Sequence, residues 1–280
     1  MRQLLIFTDL DGTLIDHDTY GFKEVEGTLA ALKERGVPVI VCSSKTRAEI
    51  ERLRSLMGLD GPFVVENGGA VFVPAAARGI AKNGLVKRDG YWVKELGIPY
   101  KALCDLWKSI KSATGVLMTG FSEMSISQIV SLTGLSARDA QLATRREYSE
   151  PFILEDDPTA LPVVERMAET KGLKITRGGR FYHLTGDNDK GKAVMILRRL
   201  YAQALPDRHL VTVGLGDSAN DIAMFRQVDI PAVIQKKDGS WEPVSGIDSV
   251  IYSKKPGPIG WAQVVDGIIS AQTAETQPAK

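Results

Sequence analysis

The sequence predicts an α/β protein with a doubly wound, Rossmann-like parallel-sheet core and an inserted α+β cap domain. Three observations carry that expectation. Apolar, β-prone runs alternate with amphipathic helical stretches near the start of the chain and again after residue 190, a rhythm that builds parallel sheets. Between these regions the alternation lapses. Acidic, Gly-containing clusters follow apolar runs in both regions, Asp9-Leu10-Asp11-Gly12 early and Gly216-Asp217 late.

Leu4 to Thr8 reads as a strand buried on both faces, because it is continuously apolar rather than alternating. Val25, Leu29 and Leu32 recur at helical spacing, and Gly36 follows where a helix would end. Val37 to Cys42 is a second strand, Arg47 to Met57 a helix closed by Gly58, and Pro62 to Glu66 a third strand. The Gly-rich, charged stretch from Arg78 to Gly90 places a boundary near residue 84. The insertion, 85–186, is expected to hold helices at 100–114, 136–146 and 158–171, with strands at 151–154 and 180–184. The core, 1–84 and 187–280, resumes with a helix at 190–203, a strand at 209–213 and a helix at 219–227. Strands at 232–234 and 249–252 and an amphipathic stretch at 258–270 complete it, and the polar tail from Thr273 is expected to fray.

Composition narrows the function. Lys plus Arg total 35 against 34 Asp plus Glu, a net charge of +1, so no long-range field gathers nucleic acid or an anionic membrane. Any anion must be held locally. The two cysteines, Cys42 and Cys104, give neither a disulfide framework nor a thiolate metal site, which fits a reducing cytoplasm. The apolar run before Asp9 is too short for a signal peptide or membrane span. His17 and His209 show no partners for a zinc site, and Asp16 and Asp18 read as surface loop.

Ligands of open α/β sheets bind beyond the carboxyl ends of the strands. Those ends carry Asp9 and Asp11, then Ser43, Ser44 and Lys45, then Glu66 and Asn67, then Asp217, Asn220 and Asp221. Acids gathered on one rim repel unless a cation sits among them, and hard oxygen ligands suit Mg²⁺. A strand-end carboxylate can also attack phosphorus, which makes Asp9 the candidate nucleophile. Two residues on, Asp11 is placed to act as general acid and base. Ser43 and Lys190 would hold charge on the transferring phosphoryl group.

Four motifs, in order, resemble those of the haloacid dehalogenase-like phosphatases: Asp9 to Thr13, Ser43, Lys190 and Gly216 to Asp221. The resemblance implies metal ligation by the Asp9 side chain, the Asp11 backbone carbonyl and Asp217, with Asp221 in support and Asn220 on the phosphate. Val41 to Arg47, Val65 to Gly69, Gly178 to His183 and Val228 to Pro231 are similar to mannosyl-3-phosphoglycerate phosphatases. That likeness implies a small phosphorylated sugar-glycerate as substrate, without nucleic acid or membrane partners. Such a substrate carries phosphate and carboxylate, so Ser44, Lys45, Arg180 and His183 are the candidate substrate residues, with Arg177 in reserve. A broader sugar-phosphate phosphatase, a phosphomutase and a non-catalytic sensor are the alternatives. Gly186 to Ala193 almost matches a P-loop, but Ala193 lacks the hydroxyl for Mg²⁺, and Asp187 and Asp189 would face phosphate.

Overall fold

The computed structural model describes residues 2–276 apart from Gly179; residues 277–280 of the polar tail fall outside the described residues. The first strand, β1 (Arg2–Thr8), alternates Leu4 and Ile6 with Leu5 and Phe7, and the two sets belong to different apolar clusters on opposite faces of one sheet. Each such side chain contributes ~1.5–3 kcal/mol on burial, which is why β1 carries no polar face. After β1 come α1 (Glu26–Glu34), β2 (Val39–Cys42), α2 (Arg47–Met57) and β3 (Phe63–Val65). Thr46 starts α2 with a capping box, its hydroxyl accepting from Glu49 N while the Glu49 carboxylate accepts from Thr46 N. A left-handed turn at Glu66, Asn67 and Gly68 (φ 47, 55 and 87°) then reverses the chain into β4 (Ala70–Pro74). The hairpin β5 (Val86–Arg88) and β6 (Tyr91–Glu95) follows.

These two strands revise the boundary expected near residue 84. Strand β6 pairs antiparallel with β4 from Ala70↔Glu95 to Pro74↔Tyr91, so the large sheet extends to Glu95. The last residues of that charged stretch enter a hairpin at the sheet edge, in which Val86 and Lys87 are exposed and Val93 is buried. The inserted region then runs through α3 (Tyr100–Thr114), β7 (Met118–Gly120), α4 (Ile126–Thr133), α5 (Ala137–Ala143), β8 (Ser149–Leu154), α6 (Leu161–Glu169), β9 (Lys174–Gly178) and β10 (Phe181–Thr185). Its four strands form a separate sheet ordered β7-β8-β10-β9. Trp107, Phe152 and Leu184 pack on one side of that sheet, and Phe121, Ile129 and Ala140 form a second cluster with α4 and α5.

The chain returns through α7 (Lys190–Ala204), β11 (His209–Gly216), α8 (Ile222–Phe225), β12 (Ile230–Gln235), β13 (Ile251–Pro256) and α9 (Gly257–Thr276). The large sheet has the order β13-β12-β11-β1-β2-β3-β4-β6-β5, parallel from β13 to β3. From β1 the chain first winds one way to β2 and β3, then returns to wind the other way through β11, β12 and β13. The reversal falls between β1 and β11, where a doubly wound sheet opens its binding crevice. Register Thr8↔Leu215 brings the ends of these two strands level.

Candidate active site

Asp9 follows β1 directly, and its amide donates to the Leu215 carbonyl on β11 (2.9 Å), so the neighbouring strand fixes its place. The Thr8 hydroxyl bridges inward, donating to the Asp9 carbonyl (2.8 Å) and accepting from Trp261 Nε1 on α9 (2.9 Å). Lys190, fully buried at the start of α7, donates to Asp9 Oδ1 and Asp221 Oδ1, both at 2.6 Å. The other oxygen of Asp221 accepts the amides of Asp217 and Ser218 at 3.1 Å, so Asp221 orients the loop that carries Asp217. Carboxylate oxygens of Asp9, Asp217 and Asp221 lie within 4.8 Å of one another.

The electrostatics match that crowding. Burial, above all, pushes the Asp9 carboxyl up to about 7, with Lys190 pulling down and Asp221 and Asp11 adding to the rise. Burial also holds Asp217 well above the usual carboxylate range, reinforced by Asp9 and Asp221. Burial works against the Lys190 charge, yet Asp221 and Asp9 outweigh it and raise the ammonium above its ordinary value. One lysine is thus shared by two buried acids, with the half-buried Asp217 beside them. A hard divalent cation fits the oxygen set and would relieve the remaining repulsion, with Asp9 and Asp217 as the residues to hold it. Gly12, at φ +75°, is required by the same packing, since a Cβ there would meet Asp217 Oδ2 at 2.6 Å.

Asp11 faces the other way from this cluster. Its Oδ2 pairs with Lys45 Nζ (3.0 Å), while Oδ1 is buried with no hydrogen-bond partner among the described residues. Burial opposes the charge of Lys45, but Asp11 and Glu49 together hold its ammonium above the ordinary range. Ser43 is 1% exposed and does not line the cleft; its hydroxyl accepts from Lys45 N (3.3 Å). The helix cap is Thr46, not Ser43. Asn220 does line the cleft, but its amide nitrogen is engaged by Asn67 Oδ1 (3.1 Å).

A cleft of about 1100 Å³ opens over Asp9 and Asp11 toward the inserted region. Ser44, Lys45, Arg180 and His183 all line it, as does Arg177. His183 is 4% exposed and its Nδ1 has no partner among the described residues. Burial, then the charges of Arg146 and Lys190, lower its pKa to about 3, so the ring is neutral. Arg180 stands at the mouth, bonded to the Thr133 carbonyl and paired with Asp18 at 3.4 Å. The loop of Asp16 and Asp18 therefore lines the cleft, where the sequence suggested only surface; Lys237 reaches both acids, at 3.0 and 2.7 Å.

Arg146 and Trp261 escaped the sequence reading, and Glu66 was placed on the rim without its partners. Arg146 enters the cleft from the loop before β8 and donates to the Ser44 carbonyl (2.8 Å). Glu66, fully buried, accepts the amides of Glu147 (2.8 Å) and Tyr148 (3.1 Å) and the Ser149 hydroxyl (2.6 Å), tying the insertion to the core. Trp261 pins the strand that leads to Asp9 from a helix at the far end of the sequence given. Only Glu66 carried a signal, as an acid at a strand end.

Comparison with known proteins gives the family and the fold. A family model described as haloacid dehalogenase-like hydrolase matches residues 6–94. A glucosyl-3-phosphoglycerate/mannosyl-3-phosphoglycerate phosphatase of Methanococcoides burtonii is 41% identical over 265 residues, 95% of this chain and 97% of that protein. One of the same description from Persephonella marina is 40% identical over 268 residues, with the same shares covered. Among solved structures, Thermoplasma acidophilum 0175 superposes with a TM-score of 0.66 at 20% identity, covering 96% of this chain and 99% of that one. The sucrose-phosphatase of Synechocystis, in complex with sucrose and phosphate, gives 0.61 at 15%, with 96% and 99% covered. At such identities these two speak for the fold alone.

Proposed function

Because the chain belongs to the haloacid dehalogenase-like hydrolases, in the glucosyl-3-phosphoglycerate/mannosyl-3-phosphoglycerate phosphatase family, we propose that it hydrolyses mannosyl-3-phosphoglycerate and its glucosyl epimer through an aspartyl-phosphate on Asp9. Membership makes it a phosphoric monoester hydrolase acting on a sugar phosphate. The observation that carries the finer reading is the buried bridge from Asp9 through Lys190 to Asp221, with Asp217 beside it.

Lys190 holds Oδ1 of Asp9, which leaves Oδ2 to attack phosphorus in line with the ester oxygen. Asp11 gives its proton to that departing oxygen. It then takes a proton from water, and the hydroxide so formed displaces Asp9 and releases phosphate. Bound between Asp9 and Asp217, Mg²⁺ would offset the charge gathered on the phosphoryl oxygens. Lys190, bonded to Asp9 and Asp221, adds fixed positive charge where the transition state needs it. The inserted region covers the cleft and supplies His183, Arg146 and Arg180 to the alcohol portion of the substrate.

Release of free phosphate from a panel of mannosyl-3-phosphoglycerate, glucosyl-3-phosphoglycerate and simple hexose phosphates tests the reading. Both glycosyl-3-phosphoglycerates should lead the panel in kcat/KM, with dependence on Mg²⁺. A preference for hexose phosphates, or phosphate returned to a second hydroxyl without release, would overturn it.

A further inference from the structure

Glu49 sits in the first turn of α2, 7% exposed, fixed by its capping box with Thr46. Two cations converge on its carboxylate from opposite sides of the domain junction. Lys45 Nζ lies 3.6 Å from Oε1, and Arg146 reaches Oε2 at 3.9 Å from the inserted region. Arg146 is further held by its bonds to the Ala143 carbonyl (2.8 Å), the Ser44 carbonyl (2.8 Å) and the Ser149 hydroxyl (3.4 Å). Its side chain is only 6% exposed, yet it lines the cleft together with Lys45 and Glu49. Tyr20 closes the corner, its ring centroid 5.0 Å from Lys45 Nζ. Against the two cations stand Glu49 and, at 3.0 Å from Lys45, Asp11, so the corner offers the cleft two cationic donors whose charge is shared with these acids.

We infer that Lys45 and Arg146, held side by side by Glu49, form the subsite for a carboxylate on the leaving alcohol of the substrate. The inference rests on the function proposed above and goes beyond it by saying what reads the second anion. Position favours it: Lys45 touches Asp11, the residue that protonates the ester oxygen, so the corner adjoins the leaving group. In a 3-phosphoglycerate the carboxylate is two carbons from the carbon bearing that oxygen. Arg180, the arginine singled out from sequence, stands instead at the mouth with Asp18 and the Thr133 carbonyl. A phosphate ester without a second anion would forgo the charge-assisted bonds that Lys45 and Arg146 can donate, which selects against it.

The test compares kcat/KM for glucosyl-3-phosphoglycerate and its carboxamide, which differ in one charge, in the wild-type chain and in Arg146→Gln and Lys45→Met. Wild type should prefer the acid over the amide by on the order of 10- to 100-fold, the worth of a charged hydrogen bond. Each variant should lose most of that preference, with the larger drop on the acid and in KM. Arg146→Lys should recover part of it. Equal loss on both esters, leaving the preference intact, would make the cluster a mere fastening and overturn the subsite. Lys45→Met keeps every bond of Arg146 to the insertion, so the test stands even if Arg146→Gln folds poorly. Should the wild type ignore both esters while hydrolysing hexose phosphates, the proposed function falls and takes the subsite with it, a result distinct from an unchanged preference.

Discussion

Two groups of charges face the same cleft under opposite conditions. At the strand ends, Lys190 and Asp221 are 0% exposed and bonded at 2.6 Å, with Asp9 on the same ammonium. At the mouth, Arg180 is 38% exposed, Lys237 50% and Asp18 55%, and their pairs lie in water. An ion pair that water can replace contributes ~0–1 kcal/mol, whereas stripping one partner from a buried pair strands a charge at ~3–5 kcal/mol. The inner group therefore has one permitted arrangement, as a reacting centre needs, and the outer group is free to rearrange around a ligand.

That contrast can be broken most forcefully at Asp9. Asp9→Asn keeps size and shape but removes the attacking oxyanion, so turnover should fall by ~10⁴-fold or more with an unchanged circular dichroism spectrum. Substantial remaining phosphate release would withdraw Asp9 as nucleophile. Lys190→Met should slow turnover at least about a hundredfold and also lower the melting temperature, because Asp9 and Asp221 lose their shared cation. A variant that is slow but as stable as wild type would show that the buried pairs are easily re-solvated. Gly12→Ala should come next: its Cβ displaces Asp217, so the Mg²⁺ concentration needed for half-maximal activity should rise severalfold.

His183 sharpens the comparison through pH. Its folded pKa, about 3, lies below the unfolded value near 6.5, so the unfolded chain binds the extra proton. The contribution of the neutral ring is complete above pH 6.5 and fades as pH falls toward 3. Melting curves from pH 7 to pH 4 should drop less steeply for His183→Gln than for wild type; parallel curves would mean that the ring is solvated. The smallest effect belongs to the mouth. Asp18→Ala should leave the midpoint of a denaturant titration almost unchanged, and a cost as large as that of Lys190→Met would erase the distinction.

Much of the inner group was legible in the sequence because its parts are local. An apolar run that stops at Asp9 or Asp217 is a strand end, and strand ends of a parallel sheet share one rim. The mouth was harder to read: Asp16 and Asp18 have no strand to place them, and their role depends on Lys237 and Arg180 arriving from elsewhere. The hairpin of β5 and β6 was hidden because β5, the edge strand, is three residues long and carries Lys87 and Arg88, and so resembles a loop.

By itself the sequence determined the alternation of strands and helices, the two acid-bearing turns and a lysine at a helix start, each written in a few consecutive residues. Tertiary structure alone decided that Arg146 meets the Ser44 carbonyl and that Trp261 supports Thr8 beside Asp9. It also decided that Lys45 turns to Asp11 and that Ser43 is enclosed rather than facing the cleft. The reason is physical. Propensity and periodicity act over one turn or one strand, whereas burial and charge pairing depend on which distant segments the sheet order and crossovers bring together.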